Sequence, residues 1–419
     1  MTRIAIIVQR YGLEINGGAE LHARLLVHAL KPHYDVDVLT SRALDYQVWD
    51  QHYPTGEQWV EGCRVLRFDH PPRDRSRRKY MPLRHKLRFK LRRWLPRLGL
   101  QAVRHPTAND ADDGIDYLRA QGPTMDGLID YLRGHSTEYA ALIFMTARFH
   151  PTALGVLVDP ARSILVPTLH DEKAMYLPHF HRVFRAPRWI MYNTRAEQAV
   201  ARQLYGEDLA PGEVGGVGIH MPAAPGALDA EGEQRWAQTA ERHGIDAPYL
   251  LYVGRVDTSK GCGELFDNFD RLRRRSMGPV QLVVCGQLFM QPPRHADIVL
   301  TGFVSDQERD DLIAHAGALV VPSRHESLSL VLLESLAAGC PVIVNRHSEV
   351  LRQHVLDSGV GECYDTFEDF AASAARILGA DSATRLTQAQ HGRRYVQEHY
   401  DWGRIVAKYR RVIDGDRTG

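Results

Sequence analysis

The sequence predicts an α/β protein made of two doubly wound parallel-sheet domains, and three observations carry that expectation. Strand-length apolar runs alternate with longer amphipathic segments along nearly the whole chain, the rhythm of parallel sheets covered by helices on both faces. At 419 residues the chain exceeds one ordinary domain and suits two. A stretch punctuated by Pro and Gly, Pro222-Ala223-Ala224-Pro225-Gly226, then separates one βα series from the next.

The first series places strands near residues 4–8, 36–39, 64–68, 140–144, 163–167 and 189–192. The second begins at Tyr249-Leu250-Leu251 and continues through 281–285, 298–300, 318–321 and 341–344; residues 384–413 read as helix. The expected organisation is an N-terminal domain over 1–221, a C-terminal domain over 222–395, and a closing helix over 396–419. In such sheets, ligands sit at the carboxyl ends of the strands.

Hydrophobic content of 44% and charged content of 25% are ordinary for globular chains. A formal net charge of +1 provides no global field for nucleic acid. The five cysteines are odd in number, widely spaced and free of any Cys-x-x-Cys pair, which favours reduced thiols in the cytoplasm. Met1 runs directly into the strand-like Ile4-Ala5-Ile6-Ile7-Val8, and no stretch of about 18 apolar residues occurs. The expectation is a cytoplasmic protein.

One segment departs from this even composition. Between Pro71 and His105, thirteen Lys and Arg residues face a single acid, Asp74, and Leu83, Leu87, Leu91, Trp94, Leu95 and Leu98 recur at helical spacing. A basic amphipathic helix over about 72–105 can lie on an anionic membrane surface, placing the protein peripherally on the inner face of the plasma membrane. A solvated helix packed on the N-terminal domain fits the same pattern equally well.

The chemistry concentrates at strand ends. After Ala318-Leu319-Val320-Val321-Pro322, the stretch His325 to Gly339 reads as loop then helix, with Glu326 in the loop and Glu334 inside the helix. The mouth of that helix, at Ser329, Leu330 and Val331, offers unpaired N–H groups and a partial positive charge suited to phosphate, while the two carboxylates can accept hydrogen bonds from sugar and ribose hydroxyls. Tyr252-Val253-Gly254-Arg255 ends a strand and Lys260-Gly261 opens the next helix. Such a cation pair suits the charge that grows on a departing diphosphate. Gly17, Gly18 and Glu20 open the first helix, where glycine lets backbone approach a ligand. His170, in Thr168-Leu169-His170-Asp171, stands at another strand end, and Arg148 and His150 are weaker candidates of the same kind. Gly286 and Gly302 mark two further strand-end loops. Asp110-Ala111-Asp112 lies in a polar loop with no buried strand before it, so it does not read as a metal site, and no His/Cys cluster has zinc spacing. Neither a Gly-x-Ser-x-Gly elbow nor a Walker loop is present.

Taken along the chain, Gly-Gly-x-Glu at 17–20, Thr-x-His-Asp at 168–171, Gly254-Arg255, Lys260-Gly261, and Glu326 with Glu334 spaced as Glu-x7-Glu resemble, in the family's order, the motifs of retaining GT-B glycosyltransferases of family 4, the glycosyl transferases group 1. The resemblance implies two Rossmann-like domains facing across a cleft. It places a nucleoside-diphosphate sugar against the C-terminal domain and a glycan or lipid-linked acceptor over the N-terminal one. It implies that Arg255 and Lys260 hold the diphosphate, Glu334 the ribose, Glu326 the sugar hydroxyls and His170 the sugar face. Gly17, Gly18 and Glu20 would face donor phosphates and acceptor, and Gly286 the base. It implies retention by front-face displacement and a closing helix that crosses back to brace the first domain. No metal and no cofactor beyond the donor substrate is expected, because no strand-end loop carries the carboxylate pair that would hold a divalent ion. Leu328-Ser329 stands where the family often has Phe-Gly, Gln287 where a second glycine is frequent, and Gly218-Ile219 where Gly-Val-Asp is frequent. Ser329 is expected to serve as an N-cap. A nucleotide-sugar epimerase of the same fold and a non-catalytic binding protein remain as alternative readings.

Overall fold

A computed structural model describes residues 1–15, 17–72, 114–222, 230–275 and 278–415. The predicted basic helix over about 72–105, Asp110-Ala111-Asp112, Asn16 and residues 223–226 of the predicted linker lie outside the described residues. The chain divides into two compact units, Met1–Val217 with Gly403–Gly419, and Gly218–Trp402.

Unit 1 is built on eight strands: β1 (Arg3–Ile7), β2 (Asp35–Ser41), β3 (Gly56–Val60), β4 (Cys63–Phe68), β5 (Ala141–Met145), β6 (Ser163–Val166), β7 (Trp189–Tyr192) and β8 (Gly212–Val214). They lie in the order β3-β4-β2-β1-β5-β6-β7-β8. All pairs are parallel except β3 with β4, a hairpin that pairs Val60 with Cys63. Its two turn residues, Glu61 and Gly62, both have positive φ, at 49° and 66°, as a two-residue hairpin turn on twisted strands requires. Two of these strands escape the sequence reading, as does β14 (Glu362–Tyr364) in unit 2. β3 is the polar, mostly exposed Gly-Glu-Gln-Trp-Val, which buries no apolar face, and β8 is only three residues long. By contrast, Ile4 to Ile7 and Leu142 to Met145 are wholly buried, so their uninterrupted apolar runs are those of central parallel strands.

The first helix, α1 (Gly18–Leu30), turns Ala23, Leu26, Val27 and Leu30 onto the sheet at helical spacing. Helix α2 (Arg195–Tyr205) starts at Thr194, whose side chain accepts the Glu197 N–H and caps it.

Unit 2 carries a six-stranded sheet, β9 (Tyr249–Val253), β10 (Gln281–Cys285), β11 (Ile298–Gly302), β12 (Ala318–Val321), β13 (Val342–Asn345) and β14 (Glu362–Tyr364), in the order β11-β10-β9-β12-β13-β14 and parallel throughout. Helices α3 (Cys262–Arg274), α4 (Asp306–Ala314), α5 (Leu330–Ala338) and α6 (Glu349–Ser358) follow β9, β11, β12 and β13. One core joins Leu250, Phe266, Phe269, Val320, Ile343 and Phe370. Burying each phenylalanine is worth roughly 1.5–3 kcal/mol.

The sequence read as one helix over 384–413 is two, α7 (Ser382–His399) and α8 (Trp402–Asp414), separated at Tyr400-Asp401. From Gly403 onward, α8 belongs to unit 1. There the Lys408 ammonium donates to the Val214 carbonyl at 2.7 Å, and the Tyr34 hydroxyl donates to Asp414 at 2.9 Å.

Both sheets are doubly wound. The chain leaves β1 toward β2 and β4, then returns to β5 on the other side; it leaves β9 toward β10 and β11, then returns to β12. Each unit therefore has a topological switch point, between β1 and β5 and between β9 and β12, where loops diverge and leave room for a ligand.

Candidate functional site

In unit 2, the loops after β9 and β12 meet at the switch point and carry most of the charged residues expected from the sequence. Glycine makes the meeting possible. Gly261 has φ +78°, and a Cβ there would stand 2.4 Å from the Pro322 carbonyl oxygen, so only glycine lets the turn after β9 lie against the loop after β12. Asp257 fixes the turn from within, accepting the Lys260 N–H at 2.9 Å and the Ser259 hydroxyl at 2.6 Å. The Lys260 ammonium then lies 2.7 Å from Glu326 Oε1. Arg255 lies 3.5 Å from Asp257, and its carbonyl accepts the Tyr252 hydroxyl at 2.6 Å. Arg255 and Lys260 are each about one-third exposed, at 32%, against 14% for Glu326, so the two cations keep a face toward solvent.

Helix α5 begins beside this pair. The expected N-cap at Ser329 does not form: Ser329 has φ +68° and ψ +78°, and no side-chain bond caps the helix. Capping requires extended backbone at that residue, and the left-handed turn aims the hydroxyl elsewhere. The mouth at Leu330 and Val331 thus meets solvent without a side-chain cap, as anion binding requires. Glu334, one turn in, is 22% exposed and lies 3.7 Å from Arg309 on α4. Burial pushes its carboxyl above the usual range, and the Arg309 charge pulls it back.

Gly286 serves a neighbouring contact. With φ +141°, it admits the Gly254 carbonyl so closely that a Cβ would stand 2.0 Å from that oxygen. The Gly254 N–H donates to Cys285 at 2.9 Å and the Gly286 N–H to Gly302 at 2.8 Å, so three glycines bring the ends of β9, β10 and β11 together. Gly286 is buried beneath that junction.

The unit 1 switch point is built differently. Gly18 is exposed and a Cβ there would meet nothing within 4 Å, whereas one at Gly17 would strike Glu20 Oε2 at 2.0 Å. Glu20 turns inward: it is 7% exposed, and Arg10 donates to its Oε1 from Nη2 at 2.6 Å and from Nε at 2.9 Å. Arg10 also donates to the Leu44 carbonyl at 2.6 Å, pinning the loops after β1 and β2. Thr146 and Thr168, just beyond β5 and β6, have φ +62° and +50°. Left-handed backbone is uncommon for a β-branched residue and marks local strain.

His170 follows Thr168 and is half-buried. The loop before it is held by Glu197, a fully buried carboxyl that accepts the Leu169 N–H at 2.5 Å and also the Asn193 N–H. Burial drives the Glu197 pKa up to about 8 despite those two bonds. Of the weaker candidates, Arg148 pairs with Glu172 at 3.0 Å. His150 is wholly buried 3.5 Å from Asp126, and its pKa is pushed down to about 4 by burial.

Sequence reasoning missed Arg10, Asp257, Arg309 and Glu197. A charged residue three positions beyond a buried strand was the available sign for Arg10. Arg309 and Glu197 lie on helices whose partners only the fold reveals. Among the described residues, no three His, Cys, Asp or Glu side chains converge to hold a metal ion. No described helix is long and apolar enough to cross a membrane.

The class that the architecture defines is GT-B: two Rossmann-like α/β domains with parallel sheets. Sucrose-phosphate synthase from Thermosynechococcus elongatus matches with a TM-score of 0.66 at 18% identity over 99% of this chain and 100% of that one. HepE from Anabaena, in complex with UDP and glucose, matches at 0.64 with 16% identity over 99% and 100% of the two chains. Residues 237–394 match the family model described as Glycosyl transferases group 1, and that segment holds Arg255, Lys260, Glu326 and Glu334. Glycogen synthase of Mycobacterium tuberculosis is 29% identical over 195 residues, 44% of this chain and 47% of the relative. Alpha-D-kanosaminyltransferase of Streptomyces kanamyceticus is 31% identical over 28% of this chain and 33% of its own. The chain spans about half the length, or less, of these curated relatives.

Proposed function

We propose that the chain is a metal-independent, retaining glycosyltransferase. It moves a hexosyl-type sugar from a nucleoside-diphosphate sugar to a glycan or lipid-linked acceptor in cell-surface polysaccharide synthesis. The observation that carries the reading is the meeting of Lys260 and Glu326 at the unit 2 switch point, beside the mouth of α5 and inside the segment that matches the family model. A cation and a carboxylate already neutralising one another can both turn to a ligand that brings a diphosphate and hydroxyls.

In this reading Arg255 and Lys260 stabilise the departing diphosphate, Glu326 takes sugar hydroxyls, Glu334 takes the ribose, and unit 1 takes the acceptor. His170 lies against the transferred sugar, as the family resemblance implies. The bond from the anomeric carbon to the phosphate oxygen breaks. The acceptor oxygen bonds to the same face of that carbon, and its proton passes to the departing phosphate. Cations placed where charge grows are the main source of rate in such a step.

The test combines the purified protein with UDP- and GDP-sugars, with and without glycan acceptors, and follows nucleotide release and the anomeric configuration of the product. Acceptor-dependent release, retained configuration and full activity in EDTA are expected. Release of product isomers without acceptor would favour the epimerase, and loss of activity in EDTA would refute metal independence. The basic segment at about 72–105 supports a further part of the proposal, reversible docking on the anionic inner face of the plasma membrane. Each Lys or Arg near such a surface is worth about 1 kcal/mol. Co-sedimentation with anionic vesicles should be lost when Arg84, Arg88 and Arg92 become Glu; equal binding by both proteins would refute docking.

A further inference from the structure

Helix α6 carries His354, a buried imidazole bonded at both ring nitrogens. Nε2 lies 2.9 Å from the Leu328 carbonyl oxygen and Nδ1 lies 2.8 Å from the Tyr395 hydroxyl of α7. A carbonyl oxygen only accepts, so Nε2 carries the proton. In the neutral ring Nδ1 then holds a lone pair, and Tyr395 donates to it. Burial pushes the pKa of His354 down to about 4, which keeps this tautomer through the neutral range. Tyr395 and Tyr400 meet the ring edge-on at centroid distances of 6.1 and 5.9 Å, so it has little room to rotate.

The other end of this chain of bonds is the loop that opens α5. Leu328 immediately precedes Ser329, the left-handed residue at the helix mouth. A left-handed turn in an L-residue is unfavourable by itself and persists only where its surroundings hold it. Ser329 has no capping bond of its own, and the Leu328 carbonyl is the backbone group that the imidazole grips.

We propose that His354 is a positioning residue for the segment 326–331. It acts as a strut from Tyr395 through the imidazole to the Leu328 carbonyl that holds the Ser329 turn and so aims Glu326 and the mouth of α5. The role in ligand binding rests on the reading that this segment holds the donor nucleotide.

The experiment compares wild type, His354→Gln, His354→Phe and Tyr395→Phe, all as full chains. Hydrogen exchange of the 326–333 amides is read by mass spectrometry, and UDP, GDP and ADP are titrated by calorimetry. Phenylalanine at 354 leaves the Leu328 carbonyl without its donor. Exchange of the segment should rise at least about ten-fold, and the dissociation constant of the bound nucleotide should rise about ten-fold. Glutamine can still present an N–H to that carbonyl and should recover most of both. Tyr395→Phe removes one hydroxyl and keeps the ring, so it carries the test should His354→Phe fail to fold; a rise of about three-fold in each reading is expected.

Unchanged exchange in the folded variants overturns the strut. Faster exchange with unchanged nucleotide affinity overturns the positioning role. If wild type binds none of the three nucleotides, the donor-site reading falls and takes the positioning role with it, while the exchange result still decides whether the strut exists.

Discussion

The two switch points share a topology and differ in how they use charge. In unit 2, Lys260, Arg255 and Glu326 are partly exposed and held in position by glycine contacts and the Asp257 turn. In unit 1, the charged pair at the corresponding place, Arg10 with Glu20, is buried and also tied to the Leu44 carbonyl. A paired charge with a solvent face can exchange its partner for a ligand at small cost, whereas a buried one cannot leave without stranding the other. The contrast suits an anionic ligand on unit 2.

The largest effect should come from breaking the buried pair. Arg10→Met leaves the Glu20 carboxylate unpaired in the interior and should cost about 3–5 kcal/mol of unfolding free energy, measured in denaturant. Arg10→Met with Glu20→Leu should recover much of that. A loss below about 1 kcal/mol would show that Glu20 is free to serve a ligand and would dissolve the contrast.

Next in size are the exposed cations. Arg255→Ala or Lys260→Ala should slow transfer by roughly 10²–10³-fold with the fold intact, the scale of one lost transition-state contact. Unchanged kinetics in either variant would remove that residue from the site.

Acid should loosen both units. His22 and His150 in unit 1 and His354 in unit 2 each have their pKa lowered to about 4 by burial. The unfolded chain takes up their protons near pH 6.5 while the folded one stays neutral. The stability they contribute is therefore complete above pH 6.5 and is lost as pH falls toward 4, at about 1.4 kcal/mol per pH unit for each histidine. In unit 1 the buried Glu197 carboxyl, raised to about 8, works in the opposite direction over the same range and offsets one of its two histidines, so both units should loosen in hydrogen exchange at pH 5, and unchanged exchange in either would contradict the assignment.

Smallest of all, Ser329→Gly should raise stability by up to about 1 kcal/mol, because glycine accepts the left-handed turn without penalty. A fall in thermal midpoint would show that the serine side chain stabilises the turn.

Much of this architecture was legible in the residues, for identifiable reasons. Central parallel strands such as Ile4–Ile7 and Leu250–Leu251 are buried on both faces and so appear as uninterrupted apolar runs. β3 pairs along an exposed edge and offers no such run. The positions of Arg255, Lys260 and Glu326 were visible because each follows a buried strand by a few residues, and Glu334 because it stands eight residues after Glu326 inside the next helix. The partners were not visible: Arg309 reaches Glu334, and His354 grips Leu328, only through the packing of helices far apart in sequence. Ser329 misled for a local reason. A serine before a helix usually caps it, but here the backbone takes the conformation that glycine would.

The central claim, that a nucleoside diphosphate binds at the unit 2 switch point, is tested most directly by thermal unfolding with a panel of nucleoside diphosphates, for wild type and Arg255→Ala. At about 100 times its dissociation constant, the cognate nucleotide should stabilise wild type by about 2.7 kcal/mol and the variant far less at the same concentration. No stabilisation by any nucleotide, or equal stabilisation of both proteins, would contradict the claim.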